Sequence, residues 1–141
     1  METLTLNLSF IINASTQKVW HALTEPEIVK QYFFGTKLET SWNVGDPITF
    51  SGEWDGKAYV DTGTILQIEV GKSVTYNYWS SFSGKEDKPE NYANIVYRLD
   101  EEGNQTKLTV QQDRIADKEA LEHSEQNWKM VVNSMKELIE K

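Results

Sequence analysis

The sequence predicts an α+β fold: a curved antiparallel sheet of about six or seven strands, two short helices after the first strand, and a long C-terminal helix against the sheet. Three observations predict it. Asp117 to Lys141 repeats its apolar residues at the helical period. Thr3 to Ile12 and several later stretches alternate apolar and polar residues at period two. The terminal helix also carries the one apolar stripe large enough to cover a sheet face.

In Thr3 to Ile12, Leu4, Leu6, Leu8, Phe10 and Ile12 share one face and Thr3, Thr5, Asn7 and Ser9 the other, the mark of a half-buried strand. Ser15 is the natural N-cap of a short helix to about Thr24, with Val19, Trp20 and Leu23 along one side. Thr24-Glu25-Pro26-Glu27 has capping-box spacing with a proline near the first turn, so a second short helix follows at once. Its apolar side is Ile28, Val29, Tyr32 and Phe33, and Gly35 stops it. Strands are expected over Lys37 to Trp42, Ile48 to Trp54, Lys57 to Val70, Ser73 to Trp79, Tyr92 to Asp100 and Thr106 to Arg114. Asp55-Gly56 is a favoured two-residue hairpin turn. Ser80 to Asn91 is polar, bears Gly and Pro, and reads as the longest and most mobile loop.

The last helix is capped by Asp117. At 100° per residue, Ala120, Leu121, Trp128, Val131, Val132, Met135, Leu138 and Ile139 fall in a sector roughly 120° wide. A fatty-acid-binding barrel shares the strand–helix–helix–strand opening, but it lacks a long terminal helix, and Asp117 to Lys141 decides against it.

A chain of 141 residues without an internal linker is expected to be one domain, 1–141, with a substantial core. The formal charge of −8 argues against a nucleic-acid surface, which needs clustered Lys and Arg, and equally against an anionic membrane face. Zero cysteine removes disulfides, a thiolate nucleophile and cysteine metal sites. The alternating N-terminus has neither a basic leader nor a continuous apolar run, so a cytoplasmic protein without membrane insertion is expected.

The stretch INASTQKVWHALTEPEIVKQYF resembles the opening of the SRPBCC, or START-like, superfamily. GDPITFSG, GTILQIEVGKSVTYNYW and NQTKLTVQQD are most similar to its heat-shock-protein-90 ATPase activator branch. The resemblance covers nearly the whole chain. It implies a helix-grip fold, with the sheet wrapped round the C-terminal helix and often an apolar cavity between them. Members bind lipids, sterols and plant hormones, or cyclise polyketides. The eukaryotic activator carries such a domain after a separate N-terminal one; in these 141 residues only the single-domain resemblance is expected to carry over.

On the strand faces matched to the helix stripe lie Phe50, Trp54, Val60, Thr62, Thr64, Leu66, Val74, Tyr76, Tyr78, Ile95, Tyr97, Leu108 and Val110. The ligand-binding candidates are Phe33, Trp42, Phe50, Trp54, Thr64, Tyr76, Tyr78, Tyr97, Leu121, Ser124, Trp128, Val131 and Met135. An aromatic-rich core with no vacancy would use the same residues. Ser124 is the one polar residue in the middle of the stripe, and the favoured reading is that it bonds back to the Ala120 carbonyl. His21 and His123 fall on the solvent sides of their helices, which removes the readiest general bases and metal ligands. Asp61 and Glu69 fall on the outer sheet face, as does Glu53 unless a hairpin bulge turns it inward, and no pair of carboxylates can be placed for acid–base work. No catalytic residue, metal site or cofactor is expected. The functional expectation is a domain binding a small hydrophobic or amphipathic ligand. The alternatives are a stress-response module acting on a chaperone through its surface, and a cyclase- or hydrolase-like enzyme using the cavity hydroxyls.

Overall fold

The computed structural model describes residues 4–33, 35–54, 56–79, 86–88, 91–115 and 117–140, with backbone alone for Trp54. Most of the Ser80–Asn91 loop and Asp55 lie outside the described residues.

The elements run β1 (Leu4–Ile12), α1 (Thr16–Thr24), α2 (Pro26–Tyr32), β2 (Lys37–Glu39), β3 (Pro47–Trp54), β4 (Lys57–Glu69), β5 (Ser73–Tyr78), β6 (Ala93–Glu102), β7 (Gln105–Ile115) and α3 (Lys118–Ile139). The seven strands form one antiparallel sheet in the order β1-β7-β6-β5-β4-β3-β2. Strands β2 to β7 meander, and β1 adds beside the last of them. The first two strands in the sequence are therefore the two edges of the sheet, and α1 and α2 run between them.

Local chemistry fixes each helix start. The Ser15 hydroxyl accepts from the Lys18 amide at 3.2 Å, and the Asp117 carboxylate accepts from the Ala120 amide at 2.8 Å. The predicted capping box does not form. Glu25 is the N-cap of α2 without a side-chain bond, and Thr24 donates instead to the Trp20 carbonyl, back into α1. With α1 ending directly at that cap, the Thr24 hydroxyl sits nearer the preceding turn than the following one. Pro26 still starts α2, because its fixed φ suits a first helical turn. The two helices are tied by the Tyr32 hydroxyl, which donates to the Ala22 carbonyl at 2.6 Å.

The inward stripe of α3 buries Trp128, Val131, Val132, Met135 and Ile139, while Ala120, Leu121 and Leu138 are partly buried. Each full burial of such a side chain contributes about 1.5–3 kcal/mol, enough to hold the helix on the sheet. The helix lies closest to β1, β7, α1 and α2. Its far end is tied to β1, where the Asn13 amide donates to the Glu140 carboxylate at 2.9 Å.

The inward face of β4 differs from the expected one. Val60 and Leu66 are 55% and 42% exposed, whereas Asp61 is 7% exposed and Ile65 fully buried. Trp54 pairs with Lys57 across the two-residue turn, so even-numbered residues of β3 face the same way as odd-numbered residues of β4. Phe50 thus pairs with Asp61 and Ile48 with Gly63, and both pairs point inward. Thr62 and Thr64 share the outward parity of Val60. Leu66 lies at a register shift between Ile65 and Gln67. The expected strand through Trp42 stops at Glu39, and Trp42 has a left-handed φ of 62°.

Candidate functional site

Between α3 and the middle of the sheet is a cavity of about 180 Å³. Its walls are Phe33 after α2, Phe50 of β3, Tyr76 and Tyr78 of β5, Ile95 of β6, Gln112 of β7, and Ser124, Asn127, Trp128 and Val131 of α3. The helix packs closely on the β1 and β7 side, and the cavity occurs where it faces β3, β5 and β6.

An arc of aromatic rings supports these walls. Phe33 stacks on Phe50 with centroids 6.2 Å apart, and Phe50 meets Tyr76 at 5.9 Å and Tyr78 at 5.7 Å. Tyr76 and Tyr97 meet edge to face at 5.7 Å, and Tyr97 meets Trp128 at 5.8 Å. These separations suit ring quadrupoles, and each such pair adds about 0.5–1.5 kcal/mol beyond its burial. The arc joins α2, the sheet and α3, so the cavity shape depends on all three.

The polar groups are few and held in defined states. The Tyr76 and Tyr97 hydroxyls are 3.0 Å apart. Tyr78 donates its single phenolic proton to the Asp61 carboxylate. The Trp128 indole N–H donates to Gln112 Oε1 at 2.8 Å. The Ser124 hydroxyl makes no hydrogen bond to the Ala120 carbonyl and faces the cavity instead, which overturns the favoured back-bonded reading. Neither the Gln112 amide nitrogen nor the Asn127 side chain bonds to another described residue.

Seven of the thirteen predicted ligand residues line the cavity: Phe33, Phe50, Tyr76, Tyr78, Ser124, Trp128 and Val131. Tyr97 and Met135 are buried behind the walls, and Leu121 is partly buried against the core. Trp42, turned by its left-handed backbone, packs against the core away from the cavity. Thr64 lies on the other face of β4, and the Trp54 side chain is outside the described residues. Gln112 and Asn127 are not among the sequence-predicted ligand residues, and Asp61, expected on the outer face, is buried beneath Tyr78. Gln112 has the same parity on β7 as the inward Leu108 and Val110, and Asn127 lies one turn from Val131, so both patterns held the signal. His21 and His123 are exposed, as expected. Among the described residues no cluster of His, Asp or Glu could hold a metal ion, and no helix is long and apolar enough to cross a membrane.

Burial raises the pKa of the inner phenols. Tyr97 is pushed from 10.0 up to about 12 by loss of water, partly countered by its hydrogen bond with Tyr76. Tyr76 is held well above the ordinary phenol range, by burial first and by neighbouring Tyr97 second. A phenol that keeps its proton longer in the folded state makes the native protein bind more protons than the unfolded chain above pH 10. Stability is then fully present below pH 10 and falls as the pH rises towards about 12. The loss expected from Tyr97 is about 2–3 kcal/mol. Urea midpoints from pH 9 to 12 should decline over that window, with a shallower decline in Tyr97→Phe. A flat profile would contradict the assignment.

The family model described as activator of Hsp90 ATPase homolog 1-like protein matches residues 13–140. The solution structure of ChR145 from Cytophaga hutchinsonii is similar at a TM-score of 0.86 and 38% identity, covering 99% of this chain and 97% of that one. The solution structure of the Aha1 dimer from Colwellia psychrerythraea is similar at 0.74 and 18% identity, covering 94% and 93%. CalU16 from Micromonospora echinospora is similar at 0.74 and 21%, covering 95% and 74%. Comparison with curated proteins finds no match.

Proposed function

We propose that this chain, which belongs to the activator of Hsp90 ATPase homolog 1-like family, acts as a single START-like domain that binds a small apolar or amphipathic molecule between its sheet and α3. One observation carries the reading: a cavity of about 180 Å³ is walled by aromatic side chains yet has the non-aromatic polar side chains of Gln112, Ser124 and Asn127 in its lining. A mostly apolar concavity with a few placed polar groups is the usual form of a ligand pocket.

The test combines native mass spectrometry of the purified protein with a panel of lipid and polyketide-like compounds. Ser124→Phe should fill the space from the helix side, weaken binding at least about tenfold, and leave the unfolding midpoint within about 0.5 kcal/mol of wild type. Unchanged binding in Ser124→Phe would place the ligand elsewhere, and an empty core across the panel would end the proposal.

The family description itself favours a second reading, in which the domain modulates a chaperone ATPase through its surface. The charge of −8 would then suit a basic face on the partner. Salt-sensitive stimulation of that ATPase supports this reading, and no effect at saturating concentration removes it.

A further inference from the structure

We infer that the ligand is a neutral, single-ring aromatic molecule carrying a hydrogen-bond acceptor such as a carbonyl or ring nitrogen. This rests on the cavity reading above and narrows it by size, by shape and by polarity.

Size comes first. An aromatic ring the size of benzene occupies an apolar cavity of about 150 Å³. A cavity of about 180 Å³ therefore takes one substituted ring, and a sterol or a long acyl chain exceeds it. Shape follows from the walls. Phe50, Tyr76, Tyr78 and Trp128 present ring faces and edges to the space, which match a flat π-system better than a flexible chain.

Polarity is set by the committed hydrogen bonds. An indole N–H can only donate, so Gln112 must turn its carbonyl oxygen to Trp128. The same planar group then presents its NH₂ as a donor, with no partner among the described residues. Ser124 adds a hydroxyl from α3, and Asn127 an amide one turn further along. Tyr78 cannot offer its proton, because that proton is held by Asp61. The Gln112 NH₂ on the β7 wall can only donate, and Ser124 and Asn127 on α3 can each turn a donor towards the same space, so one acceptor on the ligand suits all three. Among the described residues no Lys, Arg or His lines the cavity, and the chain carries a charge of −8, so a carboxylate would meet no counter-charge from them.

The test titrates the full chain by NMR with acetophenone, ethylbenzene, benzoate and palmitate. Acetophenone and ethylbenzene share nearly the same shape and differ in the carbonyl. Acetophenone should bind about fivefold to tenfold more tightly than ethylbenzene, and benzoate more weakly than either. Ser124→Ala and Gln112→Met should each narrow the acetophenone preference while leaving ethylbenzene affinity nearly unchanged, a pattern that loss of packing would not give.

Equal affinity for acetophenone and ethylbenzene would overturn the acceptor requirement and leave the pocket reading intact. Preferential binding of palmitate would overturn the size limit. Binding of none of the four, together with failure of the wider lipid and polyketide panel, would overturn both this inference and the proposed function.

Discussion

Gly63→Ala is expected to lower stability by about 3 kcal/mol or more, or to prevent folding at ordinary temperature. A Cβ built on Gly63 would sit 1.7 Å from the carbonyl oxygen of Asn77 and 2.7 Å from its carbonyl carbon. Both atoms are backbone, so no side chain can swing away to make room. The neighbouring bonds hold the strands in place: Thr62 and Trp79 exchange backbone hydrogen bonds at 2.8 and 3.0 Å, and the Thr64 amide donates to Asn77 Oδ1 at 2.6 Å. Glycine here permits the close approach of β4 to β5, and the neighbouring Tyr76 and Tyr78 shape the cavity. Urea unfolding followed by tryptophan fluorescence measures the effect. A midpoint within about 0.5 kcal/mol of wild type would mean that the strands separate at little cost.

Trp128→Ala is the second large effect, with an expected loss of about 3–5 kcal/mol. The residue is 9% exposed, packs edge to face on Tyr97, and donates to Gln112, so its removal opens space and strands an acceptor together. Trp128→Phe separates the two contributions. It keeps an aromatic ring beside Tyr97 but leaves Gln112 Oε1 without its donor, at a cost of about 1–3 kcal/mol. Because the Gln112 amide would then be free to turn over, Trp128→Phe should also blur discrimination between acceptor-bearing and plain aromatic ligands. If Trp128→Phe costs as much as Trp128→Ala, the hydrogen bond and not ring packing holds this wall together.

The helix–sheet grip was legible in residue spacing because it depends on periodicity. Trp128, Val131, Val132, Met135 and Ile139 recur on one side of α3 and are the residues buried there. Alternation likewise placed Tyr76 and Tyr97 inside. It misplaced β4 because a two-residue turn exchanges even and odd positions between paired strands. Reading Val60 and Leu66 as inward kept the same parity across Asp55-Gly56, and so put Asp61 outside when it lies beneath Tyr78. The hairpin at Gly103-Asn104 obeys the same rule: Leu99 pairs with Leu108, odd with even, and both are buried.

Residue spacing was enough to locate the strands and helices, though not the end of β2, to place Ser15 and Asp117 at two helix starts, and to tell which side of α3 turns inward. Those properties depend on neighbours a few residues apart, where capping and period act. Only the tertiary structure decided that Gln112 meets Trp128, that Asp61 meets Tyr78, and that Ser124 faces space rather than its own helix backbone. The first and third depend on how far α3 stands from the sheet, a distance set by the summed packing of rings from α2, β3, β5, β6 and α3, and the second on the register of β4 between β3 and β5. No local period encodes that distance, and the chemistry of the cavity follows from it.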